Sequence, residues 1–117
     1  MKELVRVLKA TSDESRIRIL NMLKTRPLCV CEIAEVMGLA QSTVSRHLKQ
    51  LEECGLLHRA KDGLWVEYRL ATPPEDSIQG RTLALLRAEL SHRPVLASDD
   101  SRALTVDRRE ICGQNGS

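Results

Sequence analysis

Apolar residues recur at a spacing of about three to four positions through the first half of the chain, which is the period of an amphipathic helix. Val44, Leu48 and Leu51 share one face of such a stretch, and Gly38 and Gly55 stand where helices typically end. Four helices are predicted, over residues 2–10, 13–25, 29–38 and 41–53.

The pattern then becomes a strict alternation of apolar and polar residues over positions 64–70, which predicts a strand with one buried face that includes Leu64. An Asp62-Gly63 pair just before this strand is typical of a hairpin turn. Residues 56–60 are the expected partner strand. The sequence therefore predicts a two-stranded hairpin directly after the fourth helix.

A last helix is predicted over residues 75–91, and the residues after it are polar with weak periodicity. We expect at most one short helix in that tail, near residues 101–109. The length of 117 residues fits one domain. The predicted fold is mainly α with a small β-hairpin wing: a winged helix-turn-helix domain over residues 1–91, followed by a polar tail over residues 92–117.

Composition narrows the class of protein. Trp65 and Tyr68 are the only aromatic residues, so the core must be aliphatic. A net charge of +2, from 18 basic and 16 acidic residues, does not by itself indicate a nucleic-acid partner.

No apolar stretch suggests a membrane span or a secretory leader, so we expect a cytoplasmic protein with no membrane partner. Four cysteines in such a protein indicate metal binding or reactive thiols before structural disulfides.

The fourth predicted helix carries the polar side chains that a DNA-reading helix needs. In a helix-turn-helix, the second helix enters the major groove and presents its first turns to the base edges. Basic side chains on the hairpin would contact phosphates, which position the protein without specifying sequence. Each residue alone also fits a solvated surface, but the order helix, turn, helix, hairpin favours DNA binding. The expected DNA-contacting residues are Gln41, Ser42, Thr43, Ser45, Arg46, His47, Lys49, Arg59, Lys61 and Arg69.

Several stretches carry a family resemblance: Ala10–Leu20, LCVCEIA over residues 28–34, GLAQSTVSRHL over residues 38–48, and the wing over residues 63–70. The sequence resembles the arsenic-repressor (ArsR/SmtB) family of bacterial transcriptional repressors over residues 2–91. The resemblance implies homodimers joined through the first and last helices. It also implies binding to an inverted-repeat operator in double-stranded DNA, and release of that DNA when an inducer binds.

Cys29 and Cys31 lie at the start of the third predicted helix. Thiolates select soft ions, and the partial positive charge of a helix N-terminus is expected to lower the pKa of both thiols. Residues i and i+2 of an ideal helix lie about 200° apart. One ion would therefore reach both sulfurs only if the first turn were irregular or unwound, and this distortion is a hypothetical route to DNA release.

In the family that the sequence resembles, Cys-Val-Cys at this position is an arsenite, antimonite, cadmium or lead site. Arsenite repressors often carry a further cysteine three residues later, where this chain has Ala34, so Cys112 is the candidate third ligand. Cadmium and lead sensors add cysteines near the N-terminus, and none precedes Cys29. We therefore favour As(III) or Sb(III) as inducer, with Cd(II) or Pb(II) as the alternative, and expect no cofactor for folding.

Two other readings compete with this one. The second is a DNA-binding or protein-interaction module that uses the same helices and senses no ligand, which would leave the Cys29 and Cys31 pair without a purpose. The first keeps the fold and changes the signal. A disulfide between Cys29 and Cys31, or between Cys31 and Cys112, would make the protein a sensor of oxidants or reactive sulfur, although cysteines separated by one residue form strained disulfides. Cys54 is expected to be a buried apolar side chain. An enzyme is not expected, because the sequence shows neither a phosphate-binding glycine loop nor a recognisable nucleophile with its base.

Overall fold

Helices make up most of the structure, a computed structural model that describes residues 1–111. No helix in this described part is long and apolar enough to cross a membrane. The elements are α1 (Lys2–Ala10), α2 (Glu14–Met22), β1 (Leu28–Cys29), α3 (Val30–Met37), α4 (Gln41–Glu53), β2 (Leu57–Asp62), β3 (Trp65–Leu70), α5 (Ile78–Leu90), α6 (Pro94–Thr105) and α7 (Arg108–Ile111). The predicted mainly helical fold with a hairpin wing is confirmed.

Aliphatic side chains from α2, α3 and α4 form the core, as the composition requires. Ile19, Met22, Ile33 and Leu48 are fully buried there. α3 ends at Gly38, whose φ of 67° lies in the left-handed region that glycine adopts without a steric penalty. The chain then turns sharply into α4, so the core fixes the geometry of the helix-turn-helix.

The wing is an antiparallel sheet of three strands in the order β1-β3-β2, one strand more than predicted. Asp62 pairs with Trp65, so the two-residue turn is Gly63-Leu64 and not Asp62-Gly63. Gly63 has a φ of 63°, which suits the first position of a type II′ turn. Leu64 is 88% exposed at this turn, so its predicted place on the buried face is wrong.

The residues after α5 are more ordered than the polar composition suggested. α6 packs on α2 and α3, and α7 packs on α3. Leu96 and Ala103 are buried, and the buried Asp99 accepts two hydrogen bonds from Arg18, at 2.8 and 2.9 Å. Two helices therefore replace the one short helix expected in this segment.

Apolar side chains stay exposed on two neighbouring helices, α1 and α5. Leu4, Val5 and Leu8 of α1 are 39–55% exposed, and Leu85 of α5 is 58% exposed. α1 and α5 pack against each other, and α5 contributes no fully buried side chain. These apolar side chains remain open to solvent in the single chain.

Candidate thiol site and nucleic-acid interface

Cys29 and Cys31 meet at the point where β1 passes into α3. Cys29 is the residue before the helix and has extended backbone, with φ −91° and ψ 168°, while Cys31 lies in the first turn. The two Sγ atoms are 3.2 Å apart, and both residues are buried. The ideal-helix separation does not apply here, because Cys29 stands outside the helix; the irregular start that one ion would need is present, and no turn has to unwind.

The buried carboxylate of Glu32 holds this junction in place. It accepts a hydrogen bond from the backbone N–H of Cys29 at 2.9 Å. It also accepts bonds from the backbone and the guanidinium of Arg108, at 3.2 and 3.0 Å, and lies 3.5 Å from Nη1 of Arg26. Burial acts to raise the pKa of Glu32, but the bonds from Cys29 and Arg108 outweigh it, so the pKa is lowered.

The expectation of low-pKa thiols is wrong for Cys29. Burial raises the pKa of its thiol, and the neighbouring Glu32 carboxylate acts in the same direction. The backbone N–H of Glu32 and the charge of Arg108 oppose this shift but do not reverse it. At neutral pH, the Cys29 thiol therefore carries its proton.

Three residues of this site were not among the sequence predictions: Glu32, Trp65 and Arg108. Trp65 packs against the two cysteines, and the Arg108 guanidinium lies 5.9 Å from the centre of its ring. Nη2 of Arg108 also donates to Glu67 of β3 at 3.2 Å. Arg108 is 76 residues from Glu32 in sequence, so local pattern carried no signal for this contact.

The source of a third thiol ligand is not among the described residues. Cys112 lies outside them, and residues 1–111 contain no group of three or more His, Cys, Asp or Glu side chains arranged to hold a metal ion. Cys54 is buried at the end of α4, as expected. Its thiol donates a hydrogen bond to the Leu51 carbonyl at 3.4 Å. Cys29 and Cys54 are free thiols, whereas Cys31 takes part in a disulfide.

The polar face of α4 is open to solvent along its first turns. Arg46 is exposed, with its guanidinium 3.4 Å from the Thr43 hydroxyl. On the wing, Arg59 pairs with Glu52 and Arg69 with Glu67, at 3.4 and 3.0 Å, while both guanidinium groups remain largely accessible. The exposed members of the predicted DNA-contacting set are Gln41, Ser42, Ser45, Arg46, Lys49, Arg59, Lys61 and Arg69.

Thr43 and His47 of that set are only half-exposed. The His47 ring faces α2, where its Nδ1 lies 3.3 Å from Nη1 of Arg16. Arg16 in turn donates to the carbonyls of Lys9 and Ala10 at the end of α1. His47 thus connects α4 to α2 and, through Arg16, to α1.

Comparison with known proteins points to the same family that the sequence resembles. Residues 13–59 match the family described as bacterial regulatory protein, arsR family. The chain is 43% identical over 65 residues to the arsenic resistance transcriptional regulator ArsR1 of Pseudomonas putida, a match that covers 55% of this chain and 51% of that protein. It is 35% identical over 69 residues to a Staphylococcus aureus homologue of the cadmium resistance regulator CadC, covering 58% and 57%. The chain thus spans about half the length of the curated relatives that it matches.

Solved structures match over more of their length. Reduced HlyU from Vibrio cholerae has a TM-score of 0.63 and 32% identity, covering 79% of this chain and 92% of that one. An ArsR-like transcriptional regulator from Rhodococcus has a TM-score of 0.60 and 33% identity, covering 79% and 86%. ArsR1, the CadC homologue and the Rhodococcus protein are named as transcriptional regulators, a class of protein that is not enzymatic. This chain belongs to the ArsR family of bacterial regulatory proteins.

Proposed function

We propose that this protein is a transcriptional repressor that binds operator DNA through α4 and the wing, and leaves the DNA when arsenite or antimonite binds Cys29 and Cys31. The observation that carries the proposal is the pair of buried sulfurs 3.2 Å apart at the β1–α3 junction. α3 packs on α4, and β1 pairs with β3 of the wing. A ligand at this junction would therefore touch β1 and α3, the elements that pair with the wing and pack on α4.

The chemistry of the junction suits a neutral, thiol-seeking ligand. Soft thiols bind soft ions, and arsenite at neutral pH is the uncharged As(OH)₃. Each S–H that reacts with it forms one S–As bond, while the thiol proton and one hydroxide leave as water. No net charge enters the buried site, where an unpaired charge would be costly. Cys112 remains the candidate for a third sulfur.

A homodimer is the proposed assembly, with α1 and α5 at its interface. The support is the exposure of the apolar side chains Leu4, Val5, Leu8 and Leu85 on these two helices, which pack against each other. A two-fold dimer would present two copies of α4 to half-sites of an inverted repeat, because palindromic operators mirror the symmetry of the protein.

The test is operator binding by fluorescence anisotropy under reducing conditions, since Cys31 must be a free thiol to react. Arsenite is expected to release the wild type but not Cys29→Ser or Cys31→Ser. Cys54→Ala is the matched control, because it removes another buried thiol that lies outside the junction, and it should respond as the wild type does. Unchanged release in both junction variants would overturn the proposal. Cadmium and lead titrations separate the same-family alternative, to which the CadC homologue points.

A thiol-redox repressor is the second candidate. Two observations favour it: Cys31 takes part in a disulfide beside the free Cys29 thiol, and one similar structure is described as reduced HlyU. In that case an oxidant, and not arsenite, should release the operator, and Cys31→Ser should abolish the response. A wild type that responds to arsenite under reducing conditions and ignores oxidants would exclude this candidate.

A further inference from the structure

We propose that Arg108 is a positioning residue that transmits the state of the thiol site to the wing. One guanidinium joins two parts of the fold: its Nη2 donates to Glu32 in the first turn of α3 at 3.0 Å and to Glu67 of the central strand β3 at 3.2 Å. The backbone N–H of Arg108 adds a bond to Glu32 at 3.2 Å. This inference rests on the proposed function in naming arsenite as the ligand.

Because the three charged side chains are largely buried, separating them would be costly. The side chains of Glu32, Glu67 and Arg108 are 1%, 13% and 12% exposed, so a separated charge would be left with little water. The guanidinium also lies over the Trp65 ring and 3.7 Å from Asp62 at the tip of the wing. A planar guanidinium serves two carboxylates at once, which a lysine ammonium does less well.

The same carboxylate connects Arg108 to the thiols. Glu32 accepts from the backbone N–H of Cys29, and Cys29 is the direct partner of Glu67 in the β1–β3 pairing. A ligand that moves Cys29 must therefore change the position of the Glu32 carboxylate, and with it the bond that Arg108 makes to Glu67. The wing then loses an anchor to α3.

The experiment compares Arg108→Gln and Arg108→Lys with Arg109→Gln in the full chain under reducing conditions. Arg109 is the matched control, because it is 82% exposed and pairs only with Asp107 among the residues described. Three quantities are measured: operator affinity without ligand, the emission maximum of Trp65, which is the single tryptophan, and the factor by which arsenite lowers operator affinity.

Arg108→Gln is expected to weaken ligand-free operator binding by about three- to thirty-fold, to shift the Trp65 emission, and to shrink the arsenite effect. Arg108→Lys should fall between it and the wild type, and Arg109→Gln should match the wild type. Glu67→Gln removes the wing end of the contact, together with the Arg69–Glu67 pair, and leaves the Arg108–Glu32 pair in place. It should reproduce the Trp65 shift and the smaller arsenite effect of Arg108→Gln, which guards against a variant that fails to fold.

Wild-type operator affinity and wild-type Trp65 emission in both Arg108→Gln and Glu67→Gln would overturn the role of Arg108. The same holds if both lose affinity while the wild-type arsenite factor is retained. A wild type that arsenite does not release would instead overturn the proposed function. The role of Arg108 would then be decided by ligand-free affinity and Trp65 emission alone.

Discussion

The Sγ atoms of Cys29 and Cys31 lie 3.2 Å apart because the two residues stand on either side of the boundary between a strand and a helix. Extended backbone at Cys29 brings its side chain round to the first turn of α3, where Cys31 is buried beside it. The two sulfurs are therefore already adjacent while Cys31 takes part in a disulfide, and a ligand that binds once Cys31 is reduced would have little ordering of the chain to offset.

Arsenite and cadmium should differ in the pH dependence of operator release. Because burial raises the pKa of the Cys29 thiol, Cd²⁺ must displace a proton there, and its affinity should rise about tenfold per pH unit for each thiol deprotonated. As(OH)₃ returns the thiol protons as water, so its affinity should stay flat. Anisotropy titrations with both ions between about pH 6 and pH 8 measure the two slopes. Equal slopes would contradict this assignment of the proton.

Asp99→Asn should destabilise the protein far more than Asp100→Asn. Asp99 is buried and is bonded through both oxygens to Arg18, so its neutralisation leaves a guanidinium without its partner. The expected loss is about 2–3 kcal/mol, below the range for a fully buried pair because the Arg18 side chain is 24% exposed.

Asp100, the matched neighbour, is 28% exposed and pairs with Lys24 at 3.2 Å. Its replacement should cost less than about 1 kcal/mol. Urea unfolding monitored by circular dichroism gives both values. Similar losses for the two variants would mean that α6 is not anchored through Asp99.

Asp13→Ala should cost about 1 kcal/mol, because the Asp13 side chain caps α2 by accepting the Arg16 backbone N–H at 3.0 Å. That bond, partly opposed by burial, lowers the pKa of Asp13. A lowered pKa means that the carboxylate stabilises the fold above its ordinary pKa, and that this contribution is lost as the pH falls through the folded-state pKa.

Asp13→Asn separates the bond from the charge, since asparagine is also a good helix cap. It should keep most of the stability near neutral pH while losing the acid-dependent part. The measurement is the difference in unfolding free energy between wild type and each variant from about pH 6 down to pH 3. A wild type and an Asn variant that lose stability in parallel would assign the acid dependence to other groups.

Arg46→Ala and Lys61→Ala should weaken DNA binding in different ways. Arg46 lies on the exposed face of α4, so its loss should cost about 1–3 kcal/mol on the operator and relax sequence preference. Lys61 lies on β2 of the wing, so its loss should weaken operator and unrelated DNA alike and reduce the salt slope by about one. Affinities for both DNAs at several salt concentrations test the contrast, and identical profiles would be inconsistent with it.

The parts of the fold that follow one clear period were predictable from sequence. Val44, Leu48 and Leu51 are all fully buried on α4, as their helical spacing indicated. The strand β1 was not predictable, because two residues are too few to show a period. This strand exists only because Leu28 and Cys29 pair with residues of β3 that lie almost forty positions later in the sequence.

α6 shows why a polar tail can hide a packed helix. Its buried residues Leu96, Asp99 and Ala103 stand at i, i+3 and i+7, which is a helix face. The middle one is charged, so hydropathy marks the face as solvated. Asp99 is buried only because Arg18, 81 residues earlier, reaches both of its oxygens. A contact between residues so far apart in sequence leaves no signal in the local hydropathy pattern.

The candidate site also contains residues that the sequence predicted and residues that it did not. Cys29 and Cys31 stood out by residue type and spacing alone, whereas Glu32 and Arg108 looked like ordinary surface charges. The expectation of low thiol pKa values failed at Cys29 because it weighed the helix N-terminus and not burial, which the sequence did not show.

The pairing of Cys29 with Glu67 places the thiol junction and the wing on neighbouring rungs of one main-chain ladder. Backbone hydrogen bonds do not depend on which side chains the rungs carry. In the proposed function, detection and transmission would be separate: side chains at positions 29 and 31 would choose the ligand, and the ladder, together with the Arg108 contact, would pass on the change. On that proposal, exchanging those two side chains for others would alter what is sensed while leaving the route to the wing in place.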